Sequence, residues 1–230
     1  MTHDWYLVAL IKTFQFVGSF DARRGALRQL RSSLCTSSLN AMASVGGAEA
    51  IPLRRINIIT IGAPAVGKST TIRRYCDKSL ATKKDTPTIG VDFGVQCVQM
   101  GEESVRVNFW DLAGRNEYAQ IRNEFYEDAH GALLVFDVSN RKSFEVLDEW
   151  VSEARRFGPE GLRLTLCANQ TGAQRHVSEV EAREWAVANG ASYFEAPPID
   201  GATDGGGHDV KEMFENIFRM AYEERYACDS

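Results

Sequence analysis

Gly62-Ala63-Pro64-Ala65-Val66-Gly67-Lys68-Ser69 decides how the rest of this 230-residue chain is read. The octet fits G-x-x-x-x-G-K-[ST]. It follows the β-rich run Arg55 to Ile61 and opens the helix-compatible stretch Thr70 to Cys76. A chance glycine-rich turn would lack that strand, loop and helix setting, which is the context the pattern requires. The chemistry follows from the residue types. Gly67 lets the backbone approach phosphate oxygens, whose charge is met by successive amides and a helix N-terminus. Lys68 reaches the outer phosphates, and Ser69 offers a hydroxyl to Mg²⁺. Gly62, Ala65, Val66, Gly67, Lys68, Ser69 and Thr70 are therefore the candidate phosphate contacts. Taken alone, the motif says only nucleoside triphosphate.

Two further segments narrow it. Thr86-Pro87-Thr88-Ile89-Gly90-Val91-Asp92-Phe93 opens a strand, and Trp110-Asp111-Leu112-Ala113-Gly114 closes the next one. An aspartate at a strand end can hold Mg²⁺ through water, and a glycine amide can meet a terminal phosphate. A threonine can close over the ion only while that phosphate is present. Ser69, Thr88 and Asp111 are the candidate metal ligands, and Gly114 joins the nucleotide contacts.

From residue 54 onward, β-rich runs alternate with segments of helical period, the order expected of an α/β fold whose helices cover a mainly parallel sheet. Strands are predicted at Arg55 to Ile61, Val91 to Met100, Ser104 to Trp110, Ala132 to Asp137, Leu162 to Ala168 and Ser192 to Glu195. The second and third pair as a hairpin, because Gly101-Glu102-Glu103 is too short for a helical crossover. One helix is marked by Phe144, Leu147, Trp150, Val151 and Ala154, and the last by Val210, Met213, Phe214, Ile217, Phe218 and Ala221. Ser178 with Glu181 predicts a capping box for a helix running to about Ala188. Gly201 to Gly207 reads as a flexible loop.

With these segments in place, the chain resembles the Rab branch of the Ras superfamily over roughly residues 54 to 225. Closer still is a Rab-like group that in some lineages carries a C-terminal J domain. The residues that carry the likeness are Tyr75-Cys76, Thr88 to Val95, Arg122-Asn123-Glu124-Phe125-Tyr126 and Cys167-Ala168-Asn169. The resemblance implies a Ras-like, six-stranded, mainly parallel sheet with helices on both faces in the P-loop NTPase class. It implies GTP, GDP and Mg²⁺ as ligands, and effector and regulator proteins that read the segments around Thr88 and Gly114. It also implies a nucleotide-dependent switch in vesicle traffic or signalling, acting as a monomer. No His-Pro-Asp occurs in the sequence, so no J domain is expected.

The departures sharpen this picture. Arg115 stands where the family carries the glutamine that orients the attacking water. Arg115 is read either as a group that steadies transition-state charge or as a solvated surface residue. Since even intact relatives turn over at only about 10⁻⁴ per second unaided, hydrolysis here is expected to be slower or to need an unusual partner. Lys68, Thr88 and Arg115 are the candidate catalytic residues. Pro64 and Ala65 replace more flexible residues of the loop and crowd the outer phosphate. At the base site the family pattern Asn-Lys-x-Asp appears as Asn169-Gln170-Thr171-Gly172. Asn169 and Gln170 remain candidate contacts. The missing carboxylate removes two charged hydrogen bonds, roughly 3 to 6 kcal/mol or about two to four decades of guanine preference. Glu195-Ala196-Pro197-Pro198 replaces the supporting Ser-Ala turn, and Leu80 stands at the place of the aromatic clamp. Two other functions stay open: a pseudo-GTPase interaction module with a decayed base site, and a P-loop small-molecule kinase.

Composition bounds the partners. A net charge of −5 gives no sign of the broad basic face that nucleic-acid binding needs, and nucleic acid is not expected as a partner. Five scattered cysteines with no C-x-x-C pair suit a reducing, cytoplasmic setting. Residues 1–50 differ from the domain at 51–230, being serine-rich with Arg23, Arg24, Arg28 and Arg31 and few acids. They read as a disordered extension, a transit-like segment, or a basic amphipathic helix with Arg24, Arg28 and Arg31 on one face and Leu27, Leu30 and Leu34 on another. Alternatively, Met42 is the true start. Ala227-Cys228-Asp229-Ser230 offers no prenylation box, so membrane contact is expected only through a partner or the N-terminal segment.

Overall fold

A strand-forming run at Arg54–Ile61 (β1) starts the domain, and the loop motif then feeds directly into helix α1, Lys68–Cys76. There follow β2, Val91–Met100; β3, Glu103–Leu112; a single 3₁₀ turn, Asn116–Tyr118; and α2, Ala119–Tyr126. The second half comprises β4, Gly131–Asp137; α3, Arg141–Glu145; α4, Leu147–Phe157; β5, Arg163–Asn169; α5, Glu179–Ala188; β6, Ser192–Glu195; and α6, Gly206–Tyr226. The computed structural model describes residues 54–76, 87–172, 174–196 and 206–226. The expectations for residues 1–50, for Leu80, for Pro197-Pro198 and for Gly201 to Gly205 lie outside them.

The six strands form one sheet in the order β2-β3-β1-β4-β5-β6. Every pairing is parallel except β2 with β3, whose hairpin register joins Met100 to Glu103 across a Gly101-Glu102 turn. Glu103 thus belongs to the strand rather than to the connection. β4, in the middle of the sheet, is buried at every residue, as expected of a parallel strand covered on both faces.

Two cores lie on opposite faces of the sheet. Ile56, Ile58, Phe109, Leu133 and Val135 pack against α1 and α6 through Ile72, Phe214 and Phe218. Ile59, Ile61, Trp110, Leu134 and Phe136 pack against α2 to α5 through Phe125, Tyr126, Trp150 and Ala186. Strand alternation then fixes the site. Thr60 and Asp111 share the parity of Ile58 and Phe109, so both lie on the α1 face, and they are register partners at the strand ends.

Three local expectations need correction. The stripe from Phe144 to Ala154 is two helices, because Val146 adopts φ −90° and ψ 5°, outside the helical well, and separates α3 from α4. The capping box is half formed. Ser178 accepts from the Glu181 amide at 3.2 Å, but both Glu181 carboxylate oxygens go to Arg141 at 2.6 Å, a longer-range and charged partner. The last helix begins at Gly206, inside the stretch expected to be loop.

Candidate nucleotide site

The loop after β1 is closed on itself by its own lysine. Lys68 Nζ donates to the carbonyls of Gly62 at 2.9 Å and Ala63 at 2.7 Å. The side chain is 6% exposed. Burial lowers its pKa to about 8, with the Asp111 carboxylate opposing that shift. Within the loop, Ala65 takes φ +61°, a conformation that costs a residue with a Cβ about 1–2 kcal/mol. The departure at Ala65 is therefore a strained one.

Ser69, Thr88 and Asp111 meet at one point. The Ser69 and Thr88 hydroxyls are 3.0 Å apart, Thr88 Oγ1 donates to Asp111 Oδ2 at 3.3 Å, and Ser69 Oγ donates to the same oxygen. The other carboxylate oxygen, Oδ1, is held by Thr60 Oγ1 at 2.7 Å. Thr60 escaped sequence reading, although a hydroxyl inside an otherwise apolar strand was the available signal. Two hydroxyls and a single carboxylate suit Mg²⁺, which keeps few protein ligands and takes its remaining oxygens from phosphate and water. Among the described residues no group of three or more His, Cys, Asp or Glu could hold a metal.

Gly114 lies directly against the loop. A Cβ there would come within 2.6 Å of the Gly62 carbonyl oxygen and the Pro64 nitrogen, so no larger residue fits this approach. Arg115, next in sequence, is 58% exposed and pairs with Glu117 at 3.8 Å. Its carbonyl accepts from Arg122 Nη1 at 3.0 Å. Arg122 is the buried arginine of this region. It forks onto Glu153 at 2.6 and 2.8 Å and stacks over Trp150 at 4.4 Å, tying α2 to α4.

The base side is built differently. Asn169, 1% exposed, donates to the Val66 carbonyl at 2.9 Å and accepts from the Gln170 amide at 3.0 Å. It therefore binds the end of β5 to the phosphate loop. Gln170 Nε2 turns to the Gly172 carbonyl at 3.2 Å, and Thr70 Oγ1 accepts from Arg73 at 3.2 Å. Asp137, at the end of β4, accepts from Ser139 N at 2.9 Å, Ser139 Oγ at 2.6 Å, Thr171 N at 3.2 Å and Thr171 Oγ1. Burial alone would raise this carboxyl, but the Ser139 and Thr171 hydrogen bonds outweigh it and hold the pKa below its ordinary value. Ser139 Oγ also accepts from Gly172 N at 2.9 Å. A Cβ on Gly172 would lie 2.7 Å from that oxygen and 2.9 Å from the Ser139 Cβ. The missing carboxylate thus lacks room in this arrangement, a fact the sequence could not supply. The phosphate side fits a nucleoside triphosphate with Mg²⁺, while the base side does not fit the usual acid-mediated reading of guanine.

A model of the Ras family matches residues 57–223. The protein called DnaJ homolog subfamily C member 27 is a relative in several animals. The Homo sapiens protein is 39% identical over 171 residues, covering 71% of this chain and 60% of the relative. The Gallus gallus protein is 39% identical over 183 residues, covering 76% and 63%. The Rattus norvegicus protein is 38% identical over 171 residues, covering 71% and 60%. The chain therefore matches less than two thirds of the length of these relatives.

Proposed function

Because the chain belongs to the Ras family as a Rab-like small GTPase, with guanine nucleotide as its ligand class, we propose that it is a Mg²⁺-dependent switch whose active state is set by Thr88 and whose hydrolysis is slow. The observation that carries this reading is the meeting of Ser69, Thr88 and Asp111 at one carboxylate oxygen. Thr88 belongs to the segment before β2 and Asp111 to the end of β3, so closure of the first over the second changes the surface between them. Ile89, beside Thr88, is 46% exposed and offers that surface an apolar anchor for an effector protein.

Bound Mg²⁺ would neutralise charge on the outer phosphates. The chain's own work is to bind and orient: Lys68 at the loop, the Ser69 and Thr88 hydroxyls beside Asp111, and the Gly114 amide next to Pro64. Arg115 shares an exposed ion pair with Glu117, which supports its reading as a surface residue and hydrolysis without a water-orienting side chain. A role in vesicle traffic or signalling rests on the Rab-like relationship.

Equilibrium binding of fluorescent GTP, GDP and ATP, with and without Mg²⁺, to nucleotide-free protein tests this function. GTP binding that requires Mg²⁺ is expected. Its absence in protein shown by circular dichroism to be folded overturns the switch. The Gly172 and Ser139 contact favours a second reading, an interaction module that binds nucleotide without choosing the base. Equal affinity for GTP and ATP supports that module.

A further inference from the structure

The described domain carries a second concave surface that the nucleotide site does not use. A cleft of about 640 Å³ lies between β2 and α6, with Tyr75, Val98, Met100, Phe218 and Tyr222 among its lining. That volume is in the roughly 300–1,000 Å³ range of clefts that take an apolar ligand or a cluster of side chains. Its rim is charged: Glu215, Arg219 and Glu223 line it, and Glu103, which accepts from the Tyr222 hydroxyl, pairs with Arg54 at 3.3 Å. The pairs Lys211–Glu215 and Arg219–Glu223 are exposed i,i+4 contacts at 3.3 and 3.4 Å, weak enough to exchange for other partners.

The chain enters the domain at this same cleft. The Arg54 guanidinium donates to Tyr222 Oη at 2.6 Å and lies 4.7 Å from the Tyr226 ring centre, while the Arg55 amide donates to Tyr226 Oη at 3.0 Å. Arg54, the first described residue, therefore stands at the rim of the cleft. Within residues 1–53, helical spacing puts Leu27, Leu30 and Leu34 on one face and Arg24, Arg28 and Arg31 on another. The leucine face matches the apolar floor, and the arginine face matches Glu215 and Glu223 in place of their exposed partners Lys211 and Arg219. Residues 35–53 reach up to roughly 60 Å when extended at about 3.3 Å each, far more than this return requires. Tethering also replaces a bimolecular encounter with an effective concentration of about millimolar.

We propose that the cleft between β2 and α6 docks the chain's own segment around residues 24–34, with Leu27, Leu30 and Leu34 on its floor and the arginines facing Glu215 and Glu223.

Hydrogen exchange read by mass spectrometry on the full chain tests this. Peptides covering 24–34 should exchange roughly tenfold more slowly in the native chain than in Met100→Arg, and peptides covering 96–101 should lose protection in Leu30→Asp. Should Met100→Arg fail to fold, Glu223→Lys carries the same test from an exposed position, and Arg28→Glu added to it should restore part of the protection. The proposal is overturned by fast exchange of 24–34 in the native chain, by protection unaffected by the cleft variants, and by protection lost on dilution, which assigns the contact to a second copy. Protection that appears only with phosphatidylserine vesicles, leaving 96–101 unchanged, assigns the segment to a membrane and also overturns it. A natural protein that N-terminal mass spectrometry finds starting at Met42 lacks the segment altogether and overturns it too.

Discussion

The two halves of the nucleotide site use the same device to opposite ends. On the phosphate side, a carboxylate at the end of β3 is met by hydroxyls from Thr60, Ser69 and Thr88. On the base side, a carboxylate at the end of β4 is met by hydroxyls and amides from Ser139 and Thr171. The difference lies in which partners can leave. Thr60 fixes one oxygen of Asp111 from a buried strand, while Ser69 and Thr88 meet the other from a helix start and a loop, where a cation can take their place. Every partner of the Asp137 carboxylate belongs to one of two short connections that the aspartate itself braces. A polar cluster is a binding site only when a ligand can displace some of its internal bonds. The second cluster is instead a brace, and its Ser139 stands against Gly172, the position where the family pattern carries the base-reading carboxylate.

The largest effect expected from breaking this contrast is at Lys68. Lys68→Ala removes the charge that faces the outer phosphates and should cost roughly 3–6 kcal/mol of nucleotide binding, about two to four decades in Kd. Titration with fluorescent nucleotide reads this directly, with GTP and ATP losing equally because the lysine does not see the base. A smaller or base-dependent loss would mean that the phosphate side does not carry the affinity.

The next effect tests the brace. Gly172→Asp alone should lower thermal stability by about 1–3 kcal/mol, since the new side chain meets a fixed Ser139, and should gain little guanine preference. Adding Ser139→Gly clears the contact and should raise the preference for GTP over ATP by about two decades. Restoration by Gly172→Asp alone would show that the brace yields readily.

Much of the contrast was legible in the sequence, for reasons particular residues make plain. The loop at Gly62–Ser69 could be read because its chemistry is contiguous, and the sheet because a β-rich apolar run marks its strands. Gly172 and Arg115 were visible as departures from a pattern. Their surroundings were not. Ser139 lies 33 residues from Gly172, and Arg122 lies 31 from Glu153, so neither contact leaves a local trace. Val146 is invisible for a different reason: the helical period runs through it, and only the backbone shows the break. Thr60 was passed over because a strand is identified by its apolar residues.

That threonine supplies the third test. Thr60→Val keeps the shape of β1 but leaves Asp111 Oδ1 without its buried partner. Support of this kind behind a metal ligand is worth at least about tenfold in metal affinity, so the Mg²⁺ concentration that half-saturates GTP binding should rise by about tenfold. An unchanged Mg²⁺ requirement would remove Thr60 from the site.

The smallest effect separates the two sides by pH. Burial lowers the Lys68 pKa from 10.5 to about 8, so the nucleotide-free domain loses that charge as pH rises through 8. The protonated lysine is the disfavoured form in the fold. The unfolded chain therefore binds the extra proton between about 8 and 10.5, and the free domain gains stability over that window as pH rises. Nucleotide binding runs the other way, because phosphate needs the cation and must draw a proton back onto Lys68. Between pH 8 and 9 the charged fraction of the free protein falls about fivefold, and affinity for GTP and ATP should fall with it. Asp137, whose hydrogen bonds hold it below the ordinary carboxylate range, stays ionised throughout, so the ratio of the two affinities should not move. Competition binding at a series of pH values, with the folded state checked by circular dichroism, measures both quantities at once. A ratio that shifts with the absolute affinities would mean that the phosphate and base sides are coupled through Asn169, whose amide joins Val66 of the loop to the end of β5.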